Sequence, residues 1–217
     1  LLSDAYDIDS LDNRDEALIQ KFSQVMARPL SAYHRSRVTG TEHVPQGPCL
    51  YVGNHNAGVY TPDTWLFCGA VYREHGLSAL PYGLGHEVAI RIKGACGPLV
   101  KLGAVRASHE NAHRLFAAGH KALVYPGGDV DAMRPFSKRN RLVFGGRQGY
   151  IRLALRERVP IVPVVTAGAH ECFVVLSDNR WLAKLLGLDR SARMKIMPLT
   201  FALPWGLWLG FPPPYLP

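Results

Sequence analysis

The 217-residue chain is 47% hydrophobic and 19% charged, which supplies one sizeable core and excludes a disordered or fibrous polypeptide. Its formal net charge of +8 calls for anionic partners. With no zinc-finger spacing, no RNA-binding aromatic signature and no long Lys/Arg run, these are expected to be a membrane surface and a phosphate-bearing donor, not nucleic acid. Cys49, Cys68, Cys96 and Cys172 lie far apart without a C-x-x-C pair, so neither a zinc site nor a disulfide scaffold is expected and the setting reads as reducing and cytoplasmic. No run reaches the roughly 20 apolar residues of a spanning helix, and the N-terminus does not read as a secretion signal. Any membrane association is therefore expected to be peripheral.

In chain order, Asn13 and Glu16 resemble a capping box ahead of Leu18, Phe22, Val25 and Met26 at helical spacing, with Pro29 expected to end this amphipathic helix against the domain's own core. A short extended piece near Arg37 to Thr39 and a Gly/Pro turn follow. Cys49-Leu50-Tyr51-Val52 then reads as a buried strand running into Gly53-Asn54-His55. Thr61, Pro62 and Asp63 give the cap, the first-turn proline and the early acid of a helix that carries Trp65, Leu66, Phe67 and Ala70. In a second cycle Ser108 caps a helix through Phe116, Gly119 stops it, and Lys121 to Tyr125 form a strand. A third runs from a helix around Gln148 to Arg156 into the strand Ile161 to Val165. This alternation predicts a single α/β domain with a mostly parallel central sheet flanked by helices, with peripheral amphipathic helices. Residues 1–35 form an N-terminal helical segment, 36–176 the α/β core, and 177–217 an amphipathic, Trp/Pro-rich segment packing on the core or a membrane surface.

Ligand sites in such sheets gather where strands give way to loops. Three loops qualify, Gly53 to Asp63, Pro126 to Pro135 and Thr166 to Glu171. Asn54, His55, Asn56, Ala57 and Gly58 leave the imidazole accessible, and Asp63, opening the next helix, can orient it and stabilise its charge. Gly127 and Gly128 let backbone N–H groups approach an oxyanion or phosphate, with Asp129, Asp131 and Arg134 following. Arg147 precedes a helix start, where it can hold an anion. Each feature taken alone is also what a surface histidine, a plain Gly-Gly turn or solvated charges look like.

The ordered blocks Gly53-Asn54-His55, Gly103-Ala104-Val105-Arg106, Tyr125-Pro126-Gly127-Gly128 and Val159 to Pro163 resemble those of the glycerolipid acyltransferases related to the bacterial lysophosphatidate acyltransferases. The similarity runs from about residue 36 to 176. Arg147 to Leu155, followed by Gly168-Ala169-His170-Glu171, is nearest the diacylglycerol acyltransferase-like branch, which also has Pro-Gly-Gly where the lysophosphatidate enzymes have Pro-Glu-Gly. The resemblance implies an O-acyltransferase of glycerolipid and phospholipid synthesis that moves a fatty acyl chain from acyl-CoA or acyl carrier protein to a lipid hydroxyl. His55 would be the general base, with no covalent intermediate and no tightly bound cofactor. It implies Arg106, Gly127 and Gly128 for anionic groups, with Asn54, Asp129, Arg134 and Arg147 completing the substrate site. The family places Asp five residues after the histidine, whereas this chain has Tyr60 there and Asp63 eight residues on. Either a longer loop returns Asp63 to His55, or another group such as Glu171 orients it. Gly127 in place of Glu favours a neutral or glycolipid alcohol as acceptor, whereas Arg106 can pair with a phosphate, so a lysophosphatidate-specific acyltransferase of the same family stays open as the alternative.

Ser177 to Leu188 puts Trp181, Leu182, Leu185 and Leu186 on one helical face beside Arg180 and Lys184, with Arg190, Arg193 and Lys195 beyond, the composition of an interfacial helix. Trp205 and Trp208 suit a headgroup boundary, followed by Phe211 and three prolines. The expected location is the cytoplasmic face of a membrane, with membrane lipids and acyl-CoA or acyl carrier protein as partners and the oligomeric state open. An esterase of lipids would need a nucleophile elbow, and no G-x-S-x-G occurs. A non-catalytic lipid-binding protein is the remaining rival.

Overall fold

Three of the strands anticipated from apolar runs form, and they lie side by side. The computed structural model describes residues 2–56, 58, 60–172, 174–191 and 194–210. Ala57, Arg193, Phe211 and the prolines after it lie outside the described residues. In chain order the elements are α1 (Glu16–Val25), α2 (Ala27–Tyr33), β1 (Leu50–Gly53), α3 (Pro62–His75), β2 (Tyr82–Gly85), α4 (Glu87–Ile90), α5 (Cys96–Lys101), β3 (Ala104–Arg106), α6 (His109–Ala117), β4 (Ala122–Val124), α7 (Gly128–Ala132), α8 (Gly149–Glu157), β5 (Ile161–Val164), β6 (Val174–Ser177), α9 (Arg180–Leu185), α10 (Leu188–Ser191), β7 (Leu199–Ala202) and β8 (Gly206–Leu209).

Two compact units divide the chain. The first holds the residues up to Val52, Thr64–Val124 and Gly149–Pro163. Its strands form a five-stranded sheet in the order β3-β2-β4-β1-β5, with β1 and β4, β2 and β4, and β2 and β3 parallel. Leu50, Tyr51 and Ala122 are fully buried in it, as continuous apolar runs in a parallel sheet require. Ser108 caps α6 by accepting the Asn111 N–H, and Ala112, Leu115 and Phe116 form its buried face. The N-terminal helix departs from expectation in two ways. Asp15, not Asn13, is its cap, through a bond from the Leu18 N–H. Pro29 does not end the helical segment, because it sits in the first turn of α2, where its missing N–H has no intrahelical partner to lose.

The second unit comprises Gly53–Asp63, Tyr125–Gln148 and the chain from Val164 onward, the segments that follow β1, β4 and β5. Its antiparallel sheet β6-β7-β8 is not among the expected elements, since its residues carry no clean alternation of apolar and polar positions. Val175 and Ala202 pack with Ala132, Met133 and Ile196 into a second core. The single helix expected over Ser177 to Leu188 is instead two short helices, because Ser177 ends β6 and Gly187 takes a left-handed conformation between α9 and α10. Among the described residues no helix is long and apolar enough to cross a membrane.

Leu115, fully buried on α6, sets a test of the first core. Leu115→Ala is expected to lower stability in urea by about 2–5 kcal/mol, against about 1 kcal/mol for loss of the Ser108 cap in Ser108→Ala. A Leu115→Ala loss smaller than that of the cap variant would contradict this placement of the core.

Candidate functional site

The loop after β1 is fixed residue by residue. A Cβ on Gly53 would lie 2.5 Å from a ring carbon of Tyr125, so the close approach of that ring requires glycine there. The Asn54 side chain donates to the Thr166 carbonyl (2.9 Å) and accepts the Thr166 N–H (2.8 Å), stapling the loop to the segment after β5. Asn56, buried, donates its amide to an Asp63 carboxylate oxygen at 2.9 Å and accepts from the Arg134 guanidinium at 2.6 Å. These two partners fix the orientation of its amide. Between them the His55 backbone N–H donates to Asp131 Oδ2 (2.6 Å) and its carbonyl accepts from Arg134 Nη1 (2.8 Å). His55 is partly exposed, and its imidazole lies 4.9 Å from the Tyr125 ring, with Nδ1 3.4 Å from the Asn56 carbonyl.

Asp131 and Arg134 both come from the α7 segment, three residues apart and almost completely buried. Asp131 Oδ1 accepts the Val143 N–H at 3.0 Å. All three guanidinium nitrogens of Arg134 are engaged, with the carbonyls of His55, Asp131 and Arg139 and the side chains of Asn56 and Asp131. Arg134 was expected to meet substrate, but it is instead committed to the protein, because a buried cation needs its partners within the fold. A Cβ on Gly127 would lie 2.1 Å from Asp131 Cβ, so glycine there makes room for the Asp131 side chain.

The Pro126 to Asp129 turn is covered by Arg147, whose Nη1 donates to the Pro126 carbonyl at 3.0 Å and whose Nη2 lies 3.5 Å from Asp129 Oδ1. The Gly128 N–H, expected to meet an anion, donates to the Tyr125 carbonyl. Asp129 Oδ2 accepts the Lys195 N–H at 2.6 Å. Glu171 is exposed and pairs with Arg139 at 3.4 Å. Arg106 belongs to the first unit, where Nε donates to Asp9 Oδ1 at 2.8 Å and Nη2 bonds Asp9 Oδ2, so its fork already holds a carboxylate. Asn54, His55, Asp63, Gly127, Gly128, Asp129, Arg134, Arg147 and Glu171 share the second unit, and Asp63 is linked to the His55 loop through Asn56. Asn56 enters the sequence analysis only as a small neighbour of His55, Tyr125 and His170 only within matched blocks, and Asp131 only beside Asp129. The spacing of Asp131 and Arg134, one helical turn apart, was the available signal.

Burial pushes the His55 pKa below its ordinary value, opposed by its bond to the Asn56 carbonyl and by the Asp131 and Asp129 charges and reinforced by Arg134. The ring is therefore neutral at pH 7 and able to accept a proton. His170, buried, donates Nε2–H to the Arg134 carbonyl at 2.7 Å, and burial with the adjacent Arg134 pushes its pKa down to about 4. Among the described residues no group of three or more His, Cys, Asp or Glu side chains clusters as a metal site.

The Acyltransferase family model matches residues 35–167, and the chain belongs to that family. It is 33% identical over 185 residues to an uncharacterized protein of Mycobacterium tuberculosis, covering 82% of this chain and 51% of that protein. It is 26% identical over 193 residues to the Homo sapiens protein named "DGAT1/2-independent enzyme synthesizing storage lipids", covering 86% of this chain and 56% of that protein. The Mus musculus protein of the same name is 26% identical over 192 residues, covering 86% and 55%. The chain thus spans about half the length of the curated relatives it matches. These findings bear out the resemblance to glycerolipid acyltransferases of the diacylglycerol acyltransferase-like branch. No solved structure matches the chain.

The His170 environment makes stability depend on pH. The folded protein keeps His170 neutral down to about pH 4, whereas the unfolded chain protonates it near about 6.5. The unfolded state binds the extra proton between these values, so stability is full above about pH 6.5 and falls by about 3 kcal/mol as pH drops toward 4. Urea midpoints measured from pH 7.5 to 4 are expected to show this slope, and His170→Gln to make it shallower. A wild-type midpoint that is constant across that range would contradict the assignment.

Proposed function

We propose that this member of the acyltransferase family transfers a fatty acyl group from an acyl thioester, either acyl-CoA or acyl carrier protein, to a lipid hydroxyl. The observation that carries the reading is a neutral imidazole, on a partly exposed residue, in a loop whose backbone is hydrogen-bonded on both sides of His55. His55 takes the hydroxyl proton as the oxygen attacks the thioester carbonyl. The tetrahedral intermediate collapses, the C–S bond breaks, and the imidazolium returns the proton to the departing sulfur, with no covalent enzyme intermediate. The Asp131 and Asp129 charges favour the imidazolium while it lasts. Asp63 acts through Asn56, which it holds by a hydrogen bond. General base catalysis contributes on the order of 10²–10⁴-fold, and positioning with oxyanion stabilisation supplies the remainder. Arg147, over the Pro126 to Asp129 turn and partly exposed, is the cation assigned to the donor's anionic groups.

The acceptor is a neutral alcohol. Gly127 has no space for the Glu of the lysophosphatidate enzymes, and Arg106 is already paired with Asp9. The relatives named for storage-lipid synthesis support the same choice.

The protein works peripherally, at the cytoplasmic face of a membrane. The register of β6-β7-β8 aligns Val174, Leu199, Phe201, Leu207 and Leu209 as one apolar row, of which the last three are exposed. Antiparallel sheets ordinarily turn a polar face outward, and an apolar row of this kind suits lipid. Leu203 and Trp205 are exposed at the β7–β8 turn, as are Trp181, Leu185 and Leu186 around α9. Lys184, Arg190 and Lys195 in the same unit are exposed cations suited to anionic headgroups.

His55→Ala is expected to leave the circular dichroism spectrum unchanged and to lower transfer from acyl-CoA to mixed lipid acceptors at least 100-fold by mass spectrometry, in line with about 10²–10⁴-fold for a general base. Retention of half the wild-type rate would remove His55 as the base.

For the surface, flotation with anionic liposomes is expected to exceed that with neutral ones and to weaken with salt. Equal flotation with both, at low and high salt, would refute the electrostatic part of the membrane reading.

A further inference from the structure

We propose that Asp131 and Arg134 are positioning residues that clamp the peptide on both sides of His55, and that Gly127 is glycine because the clamp needs the space of its side chain. The inference deepens the acyl-transfer reading and rests on it for the use made of His55.

Asp131 supplies the carboxylate that receives the His55 N–H, and Arg134 the guanidinium that donates to the His55 carbonyl. A loop of small polar residues has many backbone conformations open to it, and these two bonds remove most of them at the residue that bears the imidazole. The clamp is itself braced. Asp131 Oδ1 is held by the Val143 N–H, the Arg134 fork continues to Asn56 and Arg139, and the Gly58 N–H donates to the Ala132 carbonyl on the same α7 segment. Gly127 has an ordinary helical φ of −65°, so alanine fits its backbone conformation. Only space forbids it, because the new Cβ would stand 2.1 Å from Asp131 Cβ and 2.9 Å from Oδ2, the oxygen that receives the His55 N–H. The glycine of the third block thus acts on the base, where the sequence had assigned it to an anion or to acceptor choice. Arg134, Asp129 and Tyr125 also face His55, and His170 is close enough for the two imidazoles to interact electrostatically. Removing the Asp131 charge withdraws a contribution that raises the affinity of His55 for a proton, so the acidic limb of the pH–rate profile moves to lower pH.

The test compares the full chain with Asp131→Asn and with Gly127→Ala, a one-methyl probe that keeps every polar group. Readouts are hydrogen exchange at residues 53–56 and transfer from oleoyl-CoA to diacylglycerol in mixed micelles. In both variants the His55 amide is expected to exchange at least tenfold faster and kcat to fall at least tenfold, with KM for oleoyl-CoA within twofold. In Asp131→Asn the acidic limb also shifts to lower pH. Unchanged exchange at His55 in both variants overturns the clamp. Faster exchange with unchanged kcat overturns its role in positioning the base. A wild type without transfer whose variants still lose protection supports the clamp and overturns the acyl-transfer reading, so the two failures are distinguishable.

Discussion

A buried ion pair, Asp131 with Arg134, is the interaction on which the rest of the site depends. Two charges taken out of water are costly, and their mutual attraction repays that only when the remaining donors and acceptors are satisfied. Here the partners that satisfy them are the His55 peptide groups, the Asn56 side chain, the Val143 N–H and the Arg139 carbonyl. Removing one member of such a pair leaves an uncompensated buried charge, which costs about 3–5 kcal/mol. The energetic demand of the pair therefore fixes the backbone of the histidine loop. The same demand explains the asymmetry among the arginines, since Arg134 is spent inside while Arg147 keeps part of its surface in solvent.

The sequence made some of this legible and hid the rest for identifiable reasons. Leu50 to Val52 is a continuous apolar run that ends at Gly53, and that pattern located both β1 and the histidine after it. Ser108 and Gly119 bracket α6 through local cap chemistry, which needs no tertiary information. The role of Arg134 was not legible, because its bond to the His55 carbonyl spans 79 residues and a charge in a Gly-rich loop looks solvated. The pairing of Arg106 with Asp9 is hidden in the same way, the two residues being 97 positions apart. Gly127 was noticed for the freedom of its backbone, whereas the structure uses its missing side chain. The antiparallel sheet is not legible because its Leu- and Trp-rich stretch carries little strand periodicity.

The two units divide the labour in a way that suits a member of the acyltransferase family. The first holds a mostly parallel sheet in which Leu50, Tyr51 and Ala122 are fully buried. The second collects the segments following β1, β4 and β5 and holds the charged and polar groups, the apolar row on β6, β7 and β8, and the exposed tryptophans Trp181 and Trp205. The His55 loop and the apolar row thus lie within one compact unit.

The central claim is that the fold presents His55 as a neutral imidazole, desolvated but not starved of negative charge. A titration of the His55 ring carbons by NMR, in the intact protein without substrate and with His55→Gln to assign the signal, tests this most directly. The account predicts a midpoint below the ordinary histidine value of about 6.5, with a single neutral form at pH 7. A midpoint at or above that value would contradict it, because the resting ring would then be substantially protonated near neutral pH.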